Sequence, residues 1–595
     1  MLSKSRGIIP TMAYIDPDPD RGPGRDAVEL YTRTYGTLLR SSGETKLKVL
    51  EQSHIGMGSS LHPKAGSAEP DSGALIYALR RLPPSIIAVK RILLGQSADV
   101  FKRLLNVDVE RWEMQGAPGR RRRYYFDGKE TLAVYIASPS DIDDVIPQLV
   151  ALQIEWNKLH ALLSPEDLSR AETTEEQFKV LQRMGISEDD ALRLVEIWGD
   201  LLTPLRRIQA EEKDFRVRML GGSQIGYVKA TRRWWQPIED LLHREGLQER
   251  PVYFISSNTH SLVNLLSGSA RRHQQEIVEY TERSNNLELV PELRKLRQGQ
   301  SRGNWDNFLY YAARSYYAQS PEAGERRAHR TREEEERGIF FLVSQAGLDV
   351  AAQVIVLDRL VAGDLDPRLG TPSADRLKRS PAILINVNYP LGLGAYNVLR
   401  EVAESVGTLR GVYVLGKAAT LNGSIGDIMI SNVVYEEHSE NTYWLDNCFS
   451  FDSVAPFLVY GSALDNQRAV TVRGTFLQNR AYLDFYHRES YTVVEMEAGP
   501  YLNALYEAAE SSRYPMRENI NFTKLPFDFG VLHYASDTPY TQARTLGARG
   551  LSYYGLDSTY ASSVAILRRI LAQERVLTAD VATPRWADAE ARQGA

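Results

Sequence analysis

The chain has 595 residues, too many for one hydrophobic core, so two or more domains are expected. With 43% hydrophobic and 25% charged residues and a formal net charge of −5, it reads as a soluble globular protein without bulk attraction to nucleic acid or acidic membranes. One cysteine, Cys448, excludes an internal disulfide framework and suits a reducing cytosol. The N-terminus carries Lys4 and Arg6 but no apolar run of signal-peptide length. No stretch reaches the roughly 18 uninterrupted apolar residues of a spanning helix. A cytoplasmic location without membrane attachment is the expectation.

Residues 1–70 are rich in Pro, Gly, Ser and Asp, which predicts a flexible or wrapping arm. Residues 71–330 read as an N-terminal α/β or α+β domain with a helical insertion. Tyr124–Phe126 and Leu132–Ile136 flank Asp127-Gly128, a hairpin signal. Val145, Leu149, Leu152 and Trp156 share one side of a helix over Ile142–Leu163. Helical spacing continues over Glu175–Ala210, broken at Gly185 and Pro204, and over Ala230–Leu242. A strand at Pro251–Ile255 and a helix at His260–Leu266 follow. Arg120–Arg123 is a dense basic run, but strand side chains alternate faces and the chain is slightly acidic, so no nucleic-acid partner is expected. Trp234-Trp235 and Tyr310–Tyr317 read as core or interface aromatics. The charged run Glu325–Arg337 reads as a solvated linker or exposed helix face, and the domain boundary is placed beside it.

Residues 338–576 are strand rich. Strands are predicted at Ala382–Val387, Gly411–Leu415, Asp427–Val434, Pro456–Tyr460, Ala469–Arg473, Tyr491–Val494 and Phe529–Tyr534. Leu399, Val402 and Val406 have helical spacing, and helices are predicted after Glu497 and after Ser558. This order gives an α/β domain, a mixed sheet with helices on both faces, whose strand ends can build a site. Residues 577–595 are predicted to be a disordered tail.

Three segments of this half carry candidate chemistry. Val493-Val-Glu-Met-Glu-Ala498 is a strand running into a helix, and Tyr534-Ala-Ser-Asp537 ends a strand about 40 residues later. Val414-Leu-Gly-Lys-Ala-Ala419 precedes Gly423-Ser-Ile-Gly-Asp-Ile-Met-Ile430. Together, over roughly Ser380–Ala572, they resemble the nucleoside phosphorylase and nucleosidase superfamily, including its AMP nucleosidase-like members.

The resemblance implies that Glu497 is the ribose-binding carboxylate, Met496 its packing partner and Glu495 the flanking acid. A carboxylate can accept bonds from both ribose hydroxyls while a thioether packs on the sugar, and such bonds strengthen as oxocarbenium character develops. It implies Asp537 as the general acid that protonates a purine leaving group, with Ser536 orienting it. Gly416 falls in an expected Gly-rich turn, where small residues let backbone N–H groups approach an anion. Lys417 stands where a small hydroxyl residue is usual, and reads as a 5′-phosphate ligand or a surface residue. Arg473 and Arg480 precede the Glu-Met-Glu motif and read as ligand neighbours or as surface ion pairs, and Phe476 as a stacking partner of the base.

Two departures bear on the reaction. Asn386–Gly394, where phosphorylases carry a phosphate loop, has no Arg, and Val414 stands at a second usual Arg position. Without those guanidiniums hydrolysis is favoured over phosphorolysis. No acid lies between Ala382 and Leu399 to activate water, which leaves Glu436 or Glu437 as substitutes. The reading is therefore an N-glycosidase acting on a purine nucleoside or nucleoside monophosphate, without cofactor or metal, and by resemblance a homo-oligomer. The alternative is a nucleoside-binding sensor or structural protein that keeps the pocket without turnover. A dinucleotide fold fails at Gly392-Leu-Gly394, because the third glycine position holds Asn397.

Overall fold

Two sheets organise the chain. The computed structural model describes residues 24–578 apart from 42, 164–167, 169–170, 172, 285, 287, 320–321, 345–346, 511–515, 524 and 539–554, so the predicted tail lies almost wholly outside the described residues. The first sheet holds β1 (Thr45–Lys46), β2 (Arg91–Gly95), β3 (Glu113–Ala117), β4 (Arg120–Phe126), β5 (Thr131–Tyr135) and β6 (Arg216–Met219), in the order β1-β6-β2-β5-β4-β3. β4 and β5 form the expected hairpin. Asp127 makes the turn, its Oδ1 accepting the backbone N–H groups of Lys129, Glu130 and Thr131, and Gly128 takes the positive φ that a side chain would strain. The helix Pro139–Leu163 covers this sheet, with Val145, Leu149, Leu152 and Trp156 buried as their spacing predicts.

The second sheet holds β7 (Val252–Ser257), β8 (Ile339–Leu342), β9 (Ala352–Val356), β10 (Ile383–Asn388), β11 (Leu409–Thr420), β12 (Ile428–Glu436), β13 (Asn441–Leu445), β14 (Ala463–Thr471), β15 (Val493–Glu495), β16 (Asn519–Phe522) and β17 (Asp528–Asp537). Parallel and antiparallel pairs mix, as expected. β11 pairs with β17, β17 with β12, β12 with β14, β14 with β15, and β15 again with β11. These five strands close on themselves, leaving no free edge among them.

Two expectations change, and of the two forms expected for the arm its described part shows the wrapping one. The boundary near residue 330 does not separate the sheets, because β7 lies between β10 and β11 and pairs in parallel with both. The helix Gln224–Glu245 joins the same body: Trp234 and Trp235 are buried against the second sheet, and Trp234 Nε1 donates to the Val350 carbonyl at 2.7 Å. The arm is not loose over its described part. The helix Arg25–Ser41 buries Tyr31, Tyr35 and Leu39 in the first core while Arg25 pairs with Glu440 at 2.7 Å, so residues 24–70 wrap across both halves. Pro456–Tyr460 is not a strand. Pro456 has no N–H for a ladder, and the N–H groups of Val459 and Tyr460 both donate to Asp557 Oδ2, at 2.7 and 2.8 Å. The charged run forms the helix Ala323–Glu336, and no described helix is long and apolar enough to cross a membrane.

Asp557→Ala removes the acceptor for both N–H groups and should cost about 1–3 kcal/mol, read as a lower denaturant midpoint. An unchanged midpoint would show that the loop satisfies those groups without Asp557.

Candidate active site

Where β15 meets the helix Ala498–Ala509, the Glu495 carboxylate accepts the backbone N–H groups of Glu497 and Ala498, at 2.6 and 2.7 Å. A carboxylate there satisfies orphan donors and complements the helix dipole. Thr471 at the end of β14 donates its hydroxyl to Glu495 and accepts the Gly499 N–H at 2.9 Å. Glu495 thus pins the turn, and Met496 and Glu497 line a cavity of about 560 Å³. Burial, reinforced by the neighbouring Glu495, pushes the Glu497 carboxyl up to about 8.

A second wall comes from β11 and β17. Their pairing runs Ala418 to Ala535 and then Ala419 to Asp537, so Ser536 is the extra residue of a bulge. Bulges re-aim side chains, and here Ser536 and Asp537 both line the cavity, with Ser536 Oγ donating to Asp537 Oδ2 at 2.7 Å. Lys417 also lines it. Burial lowers its ammonium, and Arg81, Arg121 and Arg314 lower it further against the pull of Asp537.

The first sheet and the helical layer supply the remaining wall. Arg81, at the end of the helix Ser72–Leu79, is 8% exposed and its Nε has no hydrogen-bond partner. Arg122 pairs with Asp141 and Asp144 at 2.7 and 3.0 Å, and Arg120 with Asp144 at 2.5 Å. Arg121 reaches across to the second sheet: its Nη1 donates to the Asn388 carbonyl at 3.0 Å, and its guanidinium lies 5.5 Å from the Tyr389 ring centroid. Arg314 comes from the helix Trp305–Gln319, and Asp349 from the loop after β8. The loop that lacks an arginine of its own therefore receives one from β4.

Of the residues named from sequence, Glu495, Met496, Glu497, Ser536, Asp537 and Lys417 meet at the cavity. Gly416, Phe476, Arg473 and Arg480 do not line it. β11 continues through Gly416, which pairs with His533, so no Gly-rich turn forms there. A side chain at Gly416 would press on the His533 ring at 3.2 Å. Phe476 is 2% exposed and packs against His54, His62 and Tyr77. Arg473 donates its N–H to Glu437 Oε2 at 2.9 Å, and Arg480 is an exposed residue 3.8 Å from Asp484. Glu436 and Glu437 also lie away from the cavity. Against burial, His438 and Ser439 hold Glu436 at about 2, while Glu437 accepts from Arg473 and Tyr486. Sequence reasoning missed Arg81, Arg121, Arg314 and Asp349; the run Arg120–Arg123 was the one visible signal.

The sequence profile of a family of unknown function, DUF6909, matches residues 47–572. The chain belongs to the DUF6909 family. No curated protein matches it. Solved structures to which this DUF6909 chain is similar include two nucleosidases and a phosphorylase. S-adenosylhomocysteine nucleosidase from Streptococcus pyogenes is 9% identical, with 54% of this chain and 97% of that one covered and a TM-score of 0.27. The 5′-methylthioadenosine nucleosidase of Arabidopsis thaliana is 7% identical, covering 54% and 96%, with a TM-score of 0.28. Methylthioadenosine phosphorylase from Schistosoma mansoni, in complex with tubercidin, is 9% identical, covering 33% and 77%, with a TM-score of 0.23.

Because folding raises Glu497 from its ordinary 4.5 to about 8, the fold favours its neutral form. That contribution to stability is complete below 4.5 and is lost as pH rises through about 8. Denaturant midpoints should therefore fall more for wild type than for Glu497→Gln as pH is raised over this range. Parallel profiles would place the Glu497 carboxyl in the ordinary carboxylate range.

Proposed function

We propose that this DUF6909 protein cleaves the N-glycosidic bond of a purine nucleoside or nucleoside monophosphate, by hydrolysis rather than phosphorolysis. The observation that carries this reading is the meeting of Glu497, Met496, Asp537 and Ser536 at one cavity, from strand ends that a pocketless fold would not need to bring together. Its volume of about 560 Å³ lies within the usual range of small-molecule sites.

In this mechanism Met496 packs on the ribose and Glu497 binds its hydroxyls. Asp537, oriented by Ser536, hands a proton to the purine as the bond to the sugar breaks, so that the base leaves neutral. Positive charge develops on the sugar, and the Asp537 carboxylate that the transfer leaves is placed to stabilise it. Lys417, Arg81, Arg121 and Arg314 take a 5′-phosphate where the substrate has one. Water attacks the sugar carbon. Among the cavity acids, Asp141 is tied to Arg122 and Glu495 to its helix, so we assign water activation to Asp349.

The test is base release from a panel of nucleosides and nucleoside monophosphates, with and without inorganic phosphate. Phosphate-independent release is expected, reduced at least about 100-fold in Asp537→Asn and in Asp349→Asn while ligand binding persists. Strict dependence on inorganic phosphate would replace hydrolysis with phosphorolysis. Binding without release from any member would make the protein a sensor.

A further inference from the structure

Far along the chain from these motifs, the short helices Ser269–Arg272 and Gln274–Arg283 meet the charged helix Ala323–Glu336 beside the helix Trp305–Gln319. His329 and Glu333 stand four residues apart, on one face of the charged helix. His273 occupies the joint between the two short helices and faces them. We propose that His273, His329 and Glu333 bind one divalent metal ion of the zinc class.

The donor atoms are already gathered. One atom from each of the three residues lies within 4.8 Å of the others. His273 Nε2 is 3.4 Å from Glu333 Oε2, and His329 Nδ1 is 4.0 Å from the same oxygen. Zinc–ligand bonds of about 2.0–2.1 Å in tetrahedral array set donors roughly 3.3–3.5 Å apart, so small side-chain rotations complete the set. Two imidazoles and one carboxylate suit zinc, cobalt or nickel better than magnesium or calcium, which prefer all-oxygen sites.

The residues behind the donors are arranged for the same task. His273 Nδ1 faces Glu276 Oε1 at 3.4 Å, and Glu276 in turn accepts the Tyr316 hydroxyl. A carboxylate on Nδ1 fixes the proton there and leaves the Nε2 lone pair directed at Glu333, as in carboxylate–histidine–metal sites. Arg272 also faces Glu333: its Nε is 3.7 Å from Glu333 Oε1, the other carboxylate oxygen, and its Nη1 is drawn to Asp364 at 2.9 Å. Bound metal would fasten the charged helix to the His273 joint across the helix Trp305–Gln319. That middle helix supplies Tyr316 to Glu276 and Arg314 to the cavity. The site stands independently of the proposed activity.

The test uses the full chain, stripped with a chelator and titrated with Zn²⁺ in competition with a chromophoric chelator. Co²⁺ is titrated in parallel to read visible absorption. One Zn²⁺ per chain is expected, together with a tetrahedral Co²⁺ spectrum and a metal-dependent rise in thermal midpoint. All three should vanish in the double variant His273→Gln/His329→Gln. Glu276→Gln should weaken binding about 10–100-fold. His329 is 56% exposed, so His329→Gln alone is the variant least able to disturb folding, and it should weaken binding at least about tenfold. Absence of stoichiometric uptake by wild type, or undiminished uptake by the folded variants, would overturn the site.

Discussion

The Glu495 carboxylate binds the N–H groups of Glu497 and Ala498 and the Thr471 hydroxyl, and these bonds make β14, β15 and the following helix one unit. Charge-assisted hydrogen bonds of this kind are stronger than neutral ones and fix direction. Because Glu495 is committed to the backbone, Glu497 and Met496 are the side chains of the motif left to face the cavity. Gly499 belongs to the same constraint, since a side chain there would clash with Glu436. The order within Glu495-Met-Glu497 thus has a mechanical meaning: the first acid holds the turn, and the second is presented.

The cavity combines charges that neither sheet supplies alone. Glu497 and Asp537 come from the five-strand closure of the second sheet, while Arg81 and Arg121 come from the first half and Arg314 from the helical layer. Arg120 and Arg122 are neutralised by Asp141 and Asp144 and act as struts. Arg81, Arg121, Arg314 and Lys417 remain as neighbouring like charges, and the three guanidiniums add to the lowering of Lys417 that burial begins. Such crowding is costly in an empty pocket and is relieved by an anion.

Local features were legible in the sequence. The Asp127-Gly128 turn, the apolar stripe of Pro139–Leu163 and the strand-to-helix run at Glu495–Glu497 follow from spacing and turn chemistry that act over a few residues. Six of the ten residues singled out meet at the cavity. The misses have a common physical origin in long-range partners. Gly416 stays in a strand because His533 pairs with it, Phe476 is claimed by His54, His62 and Tyr77, and Pro456–Tyr460 is drawn off by Asp557. The run Arg120–Arg123 is discounted as a nucleic-acid patch, and nothing local reveals that Arg121, at the start of β4, reaches Asn388.

β7 has a consequence for how this architecture can be divided or inherited. A fragment beginning at residue 338 would lack the strand that joins β10 to β11, and would expose the edges of β10 and β11 that β7 covers. The first sheet ends at Met219, and the residues up to that point supply Arg81 and Arg120–Arg122 to the cavity wall. These arginines and the strand-end carboxyl groups of Glu497 and Asp537 thus sit on different sheets, so the basic side of the cavity can change in sequence while the acidic side stays in place.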